Sequence, residues 1–248
     1  MKKLFFSTMI FFLTFLNTSN LFPEKFTSWL PGKKEESPYL AQREIALVKK
    51  EPIMPESKIL DVPLINQMDS PKLTNGCEVT SLAMVLQYYG LKVTKNELAN
   101  KIETVPLMDK DNKMGNPNIG FVGDMANGPG LCVYNGPIFD LATKYVGNKA
   151  VNLTNSPFDD LLKKVGRGVP VWVITTNNYE PTVPFEKWDT QQGTIFITYS
   201  EHSVVITGYD QNYIYVNDPY GYKNMKIDKW QFIVSWEEMG KQAIAIEK

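Results

Sequence analysis

Residues 75–90 read NGCEVTSLAMVLQYYG. Val79, Leu82, Ala83, Val85, Leu86 and Tyr89 recur at helical spacing and give a broad apolar face, so a helix is predicted over Cys77–Tyr89. Gly90 stands where a helix commonly ends in a left-handed residue. The cysteine therefore opens the helix. Unpaired N–H groups and the positive end of the helix dipole face it there, which predicts a lowered thiol pKa and a reactive thiolate. The competing reading of a lone cysteine is a small buried apolar residue.

Upstream of this helix, Ile59–Ile65 suggests a strand interrupted by Pro63. Downstream, Thr94 and Glu97 form a capping-box pattern that opens a second helix running to about Ile102. A Gly/Asn/Pro-rich loop covers Met114–Gly136. Further helices are predicted over Pro137–Tyr145, and from Ser156 as N-cap with Pro157 at the first helical position to Gly166. Val169–Thr175 has the apolar run of a buried strand. The chain then turns to alternating patterns over Ser203–Tyr209 and Tyr213–Asn217, joined at Asp210–Asn212. Asp228 caps a last helix to Trp236, and Ala243–Ile246 is a last strand. Helices that precede antiparallel strands specify an α+β fold rather than repeated βαβ units.

The 248 residues carry 43% hydrophobic and 21% charged residues, enough for a full core. The net charge of −1 gives no basic surface for nucleic acid, and no nucleic-acid partner is expected. Two cysteines, Cys77 and Cys132, make no disulfide framework, although one bridge between them remains open. There is no CxxC, and the Asp109–Asn112 stretch lacks the spacing of a calcium loop, so neither metal nor other cofactor is expected.

Met1-Lys2-Lys3 precedes an apolar run of about 13 residues, Leu4–Leu16. That is the length of a signal-peptide core and short of the roughly 20 residues of a membrane span. Export is expected, to the cell exterior or the outer face of the membrane. Residues 1–21 act either as a cleaved signal peptide or as a retained anchor that tethers the chain. Residues 22–57 are rich in Pro, Lys and Glu and read as a flexible linker. Residues 58–248 read as one compact domain.

His202 is the sole histidine, so any imidazole chemistry runs through it. Strand alternation puts His202, Val204 and Ile206 on one side and Ile214, Val216 and Asp218 on one side. A turn centred near Asp210 sets His202 opposite or diagonal to Asp218, and a one-residue slip would separate them. An Asp–His pair can activate a nucleophile. The sequence Asn-Asp-Pro-Tyr-Gly around Asp218 is equally turn chemistry. Gln67 lies ten residues before Cys77, where its amide could join the Cys77 N–H in an oxyanion hole. An isolated Gln is more commonly a surface residue. The aromatic set Tyr179, Trp188, Phe196 and Tyr199 reads as packing or as groove wall.

The segments DVPLINQ (61–67), NGCEVTSLAMVLQYYG (75–90), GFVGD (120–124), EHSVVITGYD (201–210) and YVNDPYG (215–221) together resemble the C39-like peptidase family of Gram-positive bacteria, within the papain-like superfamily. The resemblance spans about residues 58–248. It implies a papain-like fold, with N-terminal helices packed on a C-terminal antiparallel sheet. It also implies Cys77 as nucleophile, His202 as base, Asp218 as orienting residue and Gln67 as oxyanion donor. Transporter-fused relatives trim double-glycine leader peptides. This sequence has no GxxxxGK[ST] motif, so that specificity is not expected here. The expected function is a cysteine peptidase acting on a peptide or protein. The alternatives are a cell-wall peptide or amide hydrolase and a non-catalytic surface binding module.

Overall fold

The computed structural model describes residues 54–181 and 185–247. The expected signal or anchor segment and most of the linker lie outside the described residues. The compact unit spans Ile53–Lys248, slightly more than expected. Met54 packs on the core, and the Tyr209 hydroxyl donates to the Pro55 carbonyl at 2.9 Å.

Five α-helices are present among the described residues: α1 (Cys77–Tyr88), α2 (Lys95–Ala99), α3 (Asn135–Val146), α4 (Phe158–Gly166) and α5 (Lys229–Glu238). The strands are β1 (Lys58–Ile59), β2 (Thr104–Val105), β3 (Phe121–Val122), β4 (Ala150–Asn152), β5 (Val171–Thr176), β6 (Glu186–Thr190), β7 (Gly193–Ile197), β8 (Glu201–Tyr209), β9 (Tyr213–Asp218), β10 (Tyr222–Asp228) and β11 (Ala243–Ile246). The main sheet is antiparallel in the order β10-β9-β8-β5-β11-β4, with β1 added beside β8. The fold is α+β, as the sequence predicts. Among the described residues no helix is long and apolar enough to cross a membrane.

The elements follow from their side chains. Helix α1 is buried nearly all round from Cys77 to Leu86, because it lies across β8 and β5. Trp172 of β5 donates its indole N–H to the Glu78 carbonyl at 3.0 Å, and Ser81 donates to the Ser203 carbonyl at 3.0 Å. These bonds fix α1 against β5 and against the start of β8. Helix α5 covers the opposite face, where Ser235 meets Thr175 at 2.7 Å. Helix α4 has a clean amphipathic pattern, with Phe158, Leu161, Leu162 and Val165 buried.

Several local predictions are corrected. The strand expected over Ile59–Ile65 pairs only through Ile59, and Pro63 sits in the extended stretch that follows. Thr94 does cap α2, accepting from the Glu97 N–H, but the helix stops at Ala99. Pro157 rather than Ser156 is the N-cap of α4, and no side chain caps it. The loop over 114–136 contains β3, and α3 begins at Asn135. Strand β10 and the β6–β7 hairpin were not anticipated. Trp188 of that hairpin packs with Val122 and Ile197 in a second small core.

Candidate active site

Cys77 is the first residue of α1, with Gly76 as the N-cap. A Cβ at Gly76 would lie 2.5 Å from the Cβ of Leu73, so the approach of this loop to the helix requires glycine. The loop is pinned from the other side. Thr74 donates to the Ala126 carbonyl at 2.8 Å, and the Asn75 N–H donates to the Met125 carbonyl at 2.9 Å. The 120–136 loop thereby forms one wall of the site, with Gly130 and Leu131 facing it.

His202 and Glu201 enter from the first residues of β8. His202 is 2% exposed, and its Nε2–H donates to Asp218 Oδ1 at 3.1 Å. Asp218 closes β9. Its Oδ1 also accepts the Tyr220 N–H at 2.8 Å, and its Oδ2 accepts a short hydrogen bond from the Tyr179 hydroxyl. Burial alone would raise the Asp218 pKa. The hydrogen bond and charge of His202, with the bonds from Tyr179 and Tyr220, reverse this and hold the carboxyl below its ordinary value. The Tyr220 ring stacks on His202 with centroids 5.2 Å apart and planes 15° from parallel. Tyr179 has φ +60, an uncommon backbone for a residue with a Cβ, and its ring stacks on Phe232 of α5.

Cys77, His202, Gln67 and Glu201 line one cavity of about 160 Å³, walled further by Tyr199 and Tyr220. A larger hollow of about 610 Å³, lined by Glu56, Asp159, Lys163 and Lys229 among others, holds no cysteine or histidine. Three of the four expected site residues thus share one cavity, and the fourth, Asp218, backs His202 from behind.

Two details depart from expectation. The Cys77 thiol pKa is raised, not lowered. Burial is the main cause, and the charges of Glu78 and Glu201 add to it, outweighing the hydrogen bond from the Ser203 N–H. The thiol's own hydrogen bond goes to Glu78 Oε2 at 3.3 Å. Gln67 is buried, but its Nε2 donates to the carbonyls of Leu73 at 3.2 Å and Thr74 at 3.0 Å, leaving Oε1 without a partner among the described residues. Its backbone ties the site together. The Gln67 N–H donates to the Pro219 carbonyl at 2.7 Å, next to Asp218. The two cysteines are free thiols, so the bridge left open by sequence is not formed.

The sequence profile of the "Peptidase_C39 like family" matches residues 59–244. The chain belongs to this family. It is 57% identical over 192 residues to the uncharacterized protein YvpB of Bacillus subtilis (strain 168), covering 77% of each. It is also similar to a crystal structure from Bacillus anthracis provisionally assigned as a C39-like peptidase. That match has a TM-score of 0.75 and 46% identity, covering 78% of this chain and 98% of the other. Membership in a C39-like peptidase family supports a hydrolase of the peptidase type. It adds no substrate.

Several residues around this C39-like site were not assigned roles from sequence. Tyr179 reads from sequence as packing or groove wall; it is buried, and its hydroxyl also donates to the Asp218 carboxylate. Tyr220 covers His202. Glu78 and Glu201 sit beside the two central residues in the chain, and that adjacency was the one signal available.

Proposed function

We propose that the chain is a thiol hydrolase of peptide bonds. Cys77 acts as nucleophile, His202 as base and then acid, and Asp218 as the group that fixes the imidazole. The observation that carries this reading is the His202–Asp218 hydrogen bond beside a cavity that also holds the first residue of α1. With Nε2–H committed to Asp218, Nδ1 is the nitrogen left to accept a proton. Because its surroundings disfavour a free thiolate, Cys77 attacks as His202 removes its proton, not from a standing ion pair. The tetrahedral oxyanion meets the Cys77 N–H, which has no carbonyl partner one turn earlier within the helix. Gln67 joins it by exchanging one of its bonds to Leu73 or Thr74 for the substrate oxygen. His202 then protonates the leaving amine, and water hydrolyses the acyl-enzyme.

The substrate is a peptide or protein. The Lys2–Lys3 segment and the apolar run that follows it support an exported enzyme that meets its substrate outside the cell or tethered to the outer face of the membrane.

The test is a peptide-library digest with wild-type protein, Cys77→Ala and His202→Ala. Cleavage by wild type alone, with a loss of roughly 10³-fold or more in each variant, supports the reading. Cleavage that persists in Cys77→Ala, or a wild-type protein that neither cleaves peptides nor forms a thioester with an activated acyl peptide, ends it.

A further inference from the structure

Two carboxyl groups that the triad does not use stand against the nucleophile. Glu78 follows Cys77 at the start of α1, and Glu201 precedes His202 at the start of β8. Cys77 Sγ and one oxygen of each carboxyl all lie within 4.8 Å of one another. Glu78 is fully buried. Its Oε2 accepts the thiol hydrogen bond, and its Oε1 accepts the Val133 N–H at 2.6 Å. Glu201 Oε1 is buried without a hydrogen-bond partner among the described residues, and Glu201 also faces the cavity.

The groups facing this pair are themselves neutral or acidic. From α1 there is Cys77. From the segment before α3 there are Cys132 and Tyr134, and from the turn after β9 there is Tyr220. On β8 itself the next residue is His202, which lines the same cavity and is hydrogen-bonded to Asp218. Among the described residues, no lysine or arginine acts on Cys77, Glu78 or Glu201.

Two carboxyl groups this close in a water-poor site do not both ionise readily, so one retains a proton. Burial pushes both above the usual carboxylate range, and the charge of Glu78 pushes Glu201 further. The remaining negative charge lies within reach of Sγ. It opposes a second charge on sulfur, and the S–H···Oε2 bond is lost if the thiol ionises.

We propose that Glu78 and Glu201 form a proton-sharing carboxyl pair that holds Cys77 as a neutral thiol until His202 removes its proton during attack. Glu78 acts on the nucleophile through the hydrogen bond it accepts from the thiol, and Glu201 through its closeness to both. A neutral thiol resists alkylation and oxidation, so the site stays intact in an oxidising surrounding. The inference rests on the reading of Cys77 as nucleophile, but its test needs no turnover.

The experiment is iodoacetamide alkylation of Cys77 across pH, in EDTA and resolved by peptide mapping, for wild type, Glu201→Gln and Glu78→Gln. The wild-type midpoint is expected above the ordinary thiol value of about 8.5. Glu201→Gln is expected to move it down by about one unit or more, making alkylation near neutral pH roughly tenfold faster. Coincident profiles for wild type and both variants overturn the proposal. So does a wild-type rate that stays on a plateau into acid, which marks a standing thiolate–imidazolium pair. If either variant fails to fold, 13C NMR of glutamate-labelled wild type decides. A carboxyl that titrates well above the usual range supports the pair, and ordinary titration of every glutamate overturns it. A protein that cleaves no peptide would end the proposed function and leave these outcomes readable.

Discussion

His202 and Asp218 share a face of the sheet because one residue of β8, Thr207, is an extra residue in the ladder. At the turn end, Tyr209 pairs with Ile214 and Gly208 with Tyr215; beyond the irregularity, Ile206 pairs with Val216 and Val205 with Asn217. Continuing the turn-end register unchanged would set Asp218 across from Val205 and away from His202. The bulge shifts the count by one and brings Asp218 diagonal to His202. The Thr207 hydroxyl secures the bulge, donating to Asn224 Oδ1 at 2.7 Å and the Tyr215 carbonyl at 3.2 Å.

Asp218→Asn should preserve the fold and lower kcat/KM by roughly 10³–10⁴-fold, because an amide no longer enforces the His202 tautomer. It should also flatten the acid limb of stability. The Asp218 pKa is lowered in the folded chain. Its contribution is therefore present above the unfolded value of about 3.9, and is lost as pH falls through the lower folded value. Melting temperature below about pH 4 should fall more steeply for wild type than for Asp218→Asn, and calorimetry across that range checks it.

Tyr179→Phe removes the hydroxyl that donates to Asp218 Oδ2 and keeps the ring on Phe232. A hydrogen bond to a charged group contributes about 1.5–3 kcal/mol, so a loss of roughly 10–100-fold in kcat/KM is expected. The Asp218 carboxyl should titrate at a higher pH in this variant. A pH–rate profile with an unchanged acid limb would contradict the role given to Tyr179.

Gly208→Ala tests the seat of the bulge. A Cβ there would lie 2.4 Å from the Lys58 carbonyl oxygen, inside the β1–β8 pairing. Overpacking of this kind costs about 1–3 kcal/mol. Denaturant melts should show that loss, and limited proteolysis should cut more readily around residues 54–60.

Both cysteines should remain unbridged in protein purified without reductant. The count expected on denaturation is two titratable thiols per chain, since Cys77 and Cys132 are both free. In the native protein both should react slowly with a thiol reagent, because burial raises each pKa. A count of zero would mean that a disulfide had formed between Cys77 and Cys132.

Elements whose own residues bury a face were legible in the sequence. Helix α1, strands β8 and β9 and strand β11 follow from apolar spacing within each segment. Cys77 at a helix start and the single histidine on a strand were legible for the same reason. Strand β10 (YKNMKID) was not, because it is mostly polar and is held by pairing with β9 rather than by a buried stripe. The raised thiol pKa was also out of reach. The helix N-terminus argues for a lower value, and only packing adds burial and the Glu201 carboxyl from a strand more than a hundred residues away.

By itself, the sequence determined the α+β class, the family and the candidate site residues, since these depend on local periodicity and on residue type. The tertiary structure decided which of them meet. It placed the bulge that turns Asp218 to His202, set Tyr179 behind Asp218, and brought two glutamates to Cys77. Register and through-space charge depend on distances between segments far apart in the chain, and no local pattern encodes those distances.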